Sequence, residues 1–92
     1  KAALDGKGKV AAWLAREALP PILSTFVVGG NLMSDDALSQ SYGSIPFDIP
    51  NIRLERHKAD AHTRIGWMRS VYNIPFGFGI GSFVDELAHA AD

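Results

Sequence analysis

Hydrophobic and polar positions along the chain fall into short extended runs separated by turns, followed by one long helical pattern at the C-terminal end. Ile22 to Val28 is apolar and rich in β-branched residues, and Gly29-Gly30 closes it, which predicts a strand near 22–28. In the run Asn51 to Lys58, Ile52 and Leu54 alternate with Arg53, Glu55 and His57, the signature of a half-exposed strand near 51–58. Arg64 to Ser70 alternates more loosely and predicts a further strand near 64–70. From Phe76 onward, Phe76, Ile80, Phe83, Val84 and Leu87 fall on one face of a helix that runs to about residue 91, and Pro75 suits its first turn.

One run is open to two readings. Val10, Trp13, Leu14 and Glu17 have helical spacing, and the alanines and Arg16 favour a helix. The same residues, entered from the Asp5-Gly6-Lys7-Gly8-Lys9 turn and stopped by Pro20-Pro21, also suit a strand near 9–17. Residues 29–50 are loop-like, with Asp35, Asp36 and Ala37 able to open a short helical turn. A connection of this length usually covers a neighbouring surface or carries function. The fold class expected is α+β: a small mixed sheet of about four strands packed against a C-terminal helix, with residues 1–92 forming a single domain.

Composition narrows the functions available. A chain of 92 residues with 47% hydrophobic and 21% charged content fits one small globular unit with a modest core. The net charge of −1 provides no basic field for nucleic acid. There is no cysteine, which excludes disulfides, thiolate metal sites and cysteine nucleophiles within the chain. No apolar run reaches the length of a membrane-spanning helix. The chain opens without Met or a signal-peptide core and stops where a helix would be capped, which predicts a piece of a longer protein.

Most candidate chemistry has a plain structural explanation. His57 and His62 lack the three or four convergent ligands of a zinc site. Asp85 and Glu86 are adjacent on a helix and do not face each other. Ser24, Ser70 and Ser82 have no base at a recognisable spacing and no nucleophile-elbow motif. The Gly77-Phe78-Gly79 pattern lacks the flanking features of a dinucleotide fingerprint. Gly77, Gly79 and Gly81 each weaken a helix start by about 1 kcal/mol relative to alanine. Close approach by another backbone or a ligand would explain them, and so would a frayed helix start. Arg69, between Trp67-Met68 and Ser70-Val71-Tyr72-Asn73, reads either as a surface salt-bridge residue or as a bidentate anion ligand beside a helix start.

The order of three segments resembles the molybdenum hydroxylases, the xanthine dehydrogenase and aldehyde oxidase family. The nearest resemblance is to the isoquinoline oxidoreductase large (beta) subunit and related aldehyde dehydrogenases. Met68-Arg69-Ser70-Val71-Tyr72 followed by Gly81-Ser82-Phe83-Val84-Asp85-Glu86-Leu87-Ala88 resembles that family's Trp-Arg-Ser-Val-Gly and Glu-Ser-Phe-Ile-Asp-Glu-Leu-Ala at the same spacing. Gly8-Lys9-Val10-Ala11-Ala12-Trp13 resembles its Gly-Lys-Val-x-x-Trp strand, and Ile49-Pro50-Asn51-Ile52-Arg53-Leu54-Glu55 its Ile-Pro-Asn-x-Arg-Val-Glu strand. Tyr72 and Gly81 depart from the family's glycine and glutamate.

This resemblance implies a fragment of an oxidoreductase subunit that binds a molybdopterin cofactor and hydroxylates its substrate with oxygen from water. It makes residues 10–17 a strand. It implies that Arg69 lies at the cofactor, with Ser70 and Val71 lining the same wall where xanthine dehydrogenases place glycine and a substrate-stacking phenylalanine. The implied partners are the remainder of the large subunit and an iron–sulfur subunit carrying two [2Fe–2S] clusters. The catalytic glutamate belongs to a part of the subunit absent from this sequence. The fragment is therefore expected to be inactive, to bind no cofactor alone, and to be open to self-association. Periplasmic or membrane-associated relatives favour such a location for the parent.

Overall fold

A computed structural model describes all residues from Lys1 to Asp92. Strand β1 (Ala2–Leu4) pairs antiparallel with β2 (Val10–Ala18), and β3 (Ile52–His57) pairs parallel with the other edge of β2. The sheet order is β1-β2-β3, so β2 is central. Two α-helices accompany the sheet, α1 (Asp35–Gln40) in the crossover and α2 (Asn73–Ala91) at the end, with short 3-10 helices at Ile22–Thr25 and Tyr42–Ser44. The architecture is α+β, with a mixed sheet of three strands rather than four.

Local chemistry fixes the hairpin between β1 and β2. The Asp5 carboxylate accepts from the backbone N–H groups of Lys7 and Lys9 at 2.8 and 2.9 Å, and the Asp5 N–H donates to Lys9 O at 2.8 Å. Gly8 supplies the left-handed residue (φ +75°), and a Cβ there would meet the Ala91 side chain at 3.2 Å. The Asp5 carboxyl is held below its usual range, first by the Lys9 backbone bond and then by that of Lys7.

Pairing on both edges is what makes Val10–Ala18 a strand. Its register with β3 runs from Trp13 opposite Ile52 to Ala18 opposite His57. The Asn51 side chain donates to Ala11 O at 2.9 Å, and Asn51 O accepts from Trp13 N–H at 2.8 Å, which aligns β3 at its first residue. Parallel strands need a long crossover. Here residues 19–51 provide it, and Tyr42, Ile45 and Ile49 from that segment pack on the core. Ser34 caps α1 through a bond from Ala37 N–H to its Oγ at 3.2 Å.

The core lies between one face of β2 and one face of α2. Trp13, Ala15 and Glu17 alternate into the interior, and Phe76 and Ile80 meet Trp13 and Ala15 from the helix. Trp13 and Phe83 sit edge to face with centroids 5.0 Å apart, and Tyr42 and Phe76 do the same at 4.5 Å.

Two expected strands do not form. Ile22–Thr25 is a short 3-10 helix, closed by bonds from the Phe26 and Val27 N–H groups to Leu23 O at 2.9 Å. Pro20 and Pro21 have no N–H to give a sheet, and no strand edge lies alongside. Residues 64–70 are likewise unpaired and end in a turn. These two segments meet each other instead, through a Thr25 hydroxyl bond to Ile65 O at 3.3 Å and a stacked Phe26–Trp67 pair. Helix α2 starts at Asn73, three residues before the apolar pattern, with Pro75 in its first turn.

Candidate functional site

The segment joining the Trp67 region to α2 is the most unusual backbone in the chain. Ser70 and Val71 have φ of +67° and +43°, the only non-glycine residues in the left-handed region. That conformation costs an L-residue roughly 1–2 kcal/mol, and it is a true outlier for a β-branched side chain. The turn is tied by Val71 N–H to Met68 O at 3.0 Å and Asn73 N–H to Ser70 O at 2.7 Å.

The helix that follows has no side-chain cap. Tyr72 at its N-cap makes none, Phe76 N–H reaches Tyr72 O at 3.4 Å, and Pro75 has no N–H. The Ile74 N–H finds no partner in the chain. Tyr72 itself is half-buried and packs against the core, so the turn is anchored on its C-terminal side.

Arg69 and Ser70 are exposed and Val71 is half-buried. The salt bridges of the chain are Arg16–Glu55, Arg53–Glu55 at 2.7 Å and Arg56–Asp35 at 2.6 Å, so Arg69 pairs with no carboxylate. The segment carries an unpaired guanidinium at 69, an exposed hydroxyl at 70 and an unpaired helix N–H at 74. It can receive an anionic group by charge-assisted hydrogen bonds.

The three glycines of α2 divide by environment. A Cβ on Gly79 would meet the Tyr42 hydroxyl at 3.6 Å, an ordinary contact, whereas Gly77 and Gly81 face open space. Close approach within the chain therefore explains neither Gly77 nor Gly81. The apolar helix face of Phe76, Ile80, Phe83, Val84 and Leu87 packs against the chain's own sheet, so it is not open to an outside partner. The free face is the opposite one, where Ile74 and Phe78 are exposed beside Gly77 and Gly81.

His57, His62 and His89 are all exposed, and nowhere do three or more His, Asp or Glu side chains converge. Asp85 and Glu86 are solvated, while Asp35 is taken by Arg56. No family, characterised protein or solved structure matches this chain.

One polar cluster escapes a reading of the sequence by helical period. Glu17 is buried at the inner end of β2, with Ser41 Oγ 3.4 Å from each carboxylate oxygen. The Ser41 hydroxyl also lies 2.8 Å from Leu38 O, so its single proton is shared between that carbonyl and the carboxylate. Desolvation raises the Glu17 pKa against the opposing effects of Ser41 and Arg56. Burial also raises that of Tyr42, and the Glu17 charge adds to it. The signal was present as alternation: Trp13, Ala15 and Glu17 share the inward face once residues 10–18 are taken as a strand.

Proposed function

We propose that this chain is part of the molybdopterin-binding large subunit of a molybdenum-hydroxylase-type oxidoreductase, contributing Arg69, Ser70 and Val71 to one wall of the cofactor pocket. The observation that carries the reading is a coincidence of two independent facts. The resemblance singles out residues 69–71, and the left-handed backbone of the chain falls on Ser70 and Val71. Strain of this kind concentrates at sites where the surroundings over-determine the backbone for function. The donor set suits the anionic parts of such a cofactor: the Arg69 guanidinium can bind bidentately and the Ser70 hydroxyl can donate, while Val71 offers an apolar contact. These residues would hold the organic portion of the group and not ligate a metal.

When bound, the cofactor supplies oxidation of an aldehyde or heteroaromatic carbon with oxygen from water. The role of this chain is to hold and orient. Arg69 fixes negative charge, and the short turn tied by Met68 O and Ser70 O keeps the guanidinium and hydroxyl in register with α2. Catalysis needs the remainder of the subunit and the iron–sulfur partner, so the 92-residue chain is catalytically silent.

The test is to express the complete reading frame with its iron–sulfur partner and measure molybdenum and pterin content. Arg69→Ala should lower cofactor retention by about tenfold or more, with Arg69→Lys intermediate, since lysine keeps the charge and loses the bidentate fork. A complete protein without molybdenum, or one whose content ignores Arg69, overturns the reading. Measurable aldehyde or heteroarene oxidation by the 92-residue chain alone also sinks it.

A non-catalytic module that docks through α2 is the second reading. The free face of Ile74, Gly77, Phe78 and Gly81 favours it. In that case Phe78→Ala abolishes partner binding while Arg69→Ala has no effect.

A further inference from the structure

We propose that Glu17, Ser41 and Arg56 form a proton-operated latch on α1, closed while the Glu17 carboxyl is protonated and loosened when it ionises. Both ends of this helix are tied to groups that a carboxylate at 17 also attracts. At its start, Asp35 Oδ1 lies 2.6 Å from Arg56 Nη1. At its end, the Ser41 hydroxyl lies 2.8 Å from Leu38 O. Glu17 stands beside both ties. It is the β2 residue in register with Arg56, and each of its carboxylate oxygens is 3.4 Å from Ser41 Oγ.

In the protonated form the three groups agree. The Glu17 O–H donates to Ser41 Oγ, which leaves the Ser41 proton wholly to Leu38 O. Arg56 then has no second anion beside it and stays with Asp35. In the ionised form the Ser41 proton is shared between Leu38 O and the carboxylate, so the tie at the end of α1 weakens. The tie at its start weakens too. The Asp35 side chain is 93% exposed, whereas Glu17 is buried, and attraction between charges is stronger away from water. The Arg56 Nη1 atom is itself buried and is not aligned for a hydrogen bond to Asp35, so geometry does little to keep it there.

The other groups around Glu17 do not compete. Tyr42 feels the Glu17 charge, but burial and that charge both raise its pKa, so it stays neutral from acid to neutral pH. Arg16, Arg53 and Glu55 pair with one another on the opposite face of the sheet. Asp36 accepts from the Gln40 amide, and α2 buries only Phe76 and Ile80. For Glu17, desolvation outweighs Ser41 and Arg56, so ionisation and loosening follow as pH rises past the ordinary carboxyl value of 4.5.

The test reads local order, not cofactor content, so it stands or falls apart from the molybdopterin reading. Nitrogen-15 relaxation of the 92-residue chain should be measured from about pH 4 to about pH 7.5, a range that brackets a raised carboxyl pKa. Backbone order parameters of residues 35–41 should fall from about 0.85 toward about 0.6 as pH rises, while β2 stays near about 0.85. The carbon-13 shift of the Glu17 carboxyl should titrate with the same midpoint. Glu17→Gln can donate to Ser41 as the neutral acid does and carries no charge, so it should hold α1 ordered at every pH. Glu86→Gln, at an exposed position of α2, should leave the pH dependence unchanged. Should Glu17→Gln fail to fold, coincidence of the two midpoints in the unaltered chain decides. The inference is overturned by order in α1 that is flat with pH or rises with it, by a midpoint other than that of Glu17, or by a loss that β2 shares in full.

Discussion

Two phenylalanines two residues apart give a sharp check on how α2 sits against the sheet. Phe76 is 5% exposed and Phe78 is 78% exposed, because successive positions on a helix turn by about 100° and the pair points to nearly opposite sides. Phe76 fills the space between Trp13, Ala15 and Ile80 and meets Tyr42 edge to face. Phe76→Ala should therefore cost about 3–5 kcal/mol, transfer and cavity terms together. A chain of this size carries on the order of 5–14 kcal/mol in total. With nine buried residues, this one belongs at the low end. The substitution removes most of its stability. Phe78→Ala should lie within about 0.5 kcal/mol of the unaltered chain, as surface changes do. The assay is urea unfolding followed by far-ultraviolet circular dichroism. With a slope near 1 kcal/mol/M for a small protein, Phe76→Ala should lower the midpoint by about 3 M or leave no folded baseline. Phe76→Leu should recover most of the loss. Equal effects at both positions, or a larger one at Phe78, would mean that α2 presents a different face to β2.

Gly77→Ala and Gly81→Ala should each stabilise the 92-residue chain by about 0.5–1 kcal/mol, since a Cβ at either meets nothing within 4 Å; a loss of stability in thermal unfolding contradicts the open face assigned to them. If the glycines serve close approach from another part of a larger protein, the same changes should reduce the stability of that whole protein while helping the isolated chain. Glu17→Gln should stabilise the chain at neutral pH. The folded Glu17 pKa is raised by desolvation, so its favourable contribution is full below the ordinary carboxyl value and is lost as pH rises through the raised one. The gain from glutamine should fade as pH falls below about 4.5, and a gain that grows in acid refutes the burial argument. Ser34→Ala should cost about 1 kcal/mol by removing the cap of α1, read as a lower unfolding midpoint.

Much of this fold is legible because its signals are local. The Asp5–Lys9 turn, the alternation of residues 51–58, the Asp35–Asp36 helix start and the apolar face of α2 each depend on neighbours in the chain. The central strand is harder, because Val10–Ala18 carries both periods and is decided by what pairs with it on either edge. Residues 22–28 and 64–70 mislead for the same reason in reverse. The β-branched composition of 22–28 and the loose alternation of 64–70 suit strands, but a strand needs an edge, and the sheet provides none beside them. Three-residue β1 has no composition signal and exists only as the return arm of the Asp5 turn. At the candidate site, Arg69 is visible from its aromatic company. The left-handed turn is not, because serine and valine give no warning of a conformation that glycine or asparagine usually marks.

On the proposed reading, that turn bears on the tyrosine at position 72. Where the resembled family carries glycine, this chain has a residue that cannot take a left-handed backbone without strain and that packs on the core. Tyr72 accordingly sits in the right-handed region (φ −77°, ψ −18°) at the head of α2. The left-handed residues of the turn are the two before it, Ser70 and Val71. The Tyr72 ring packs on the core, and the strained backbone lies at the two residues before it. The strain falls between Arg69 and the free Ile74 N–H, the two groups on this turn suited to receive an anion. On the proposed reading an anion there would meet Arg69 and the Ile74 N–H, and tyrosine in place of glycine at 72 removes neither group.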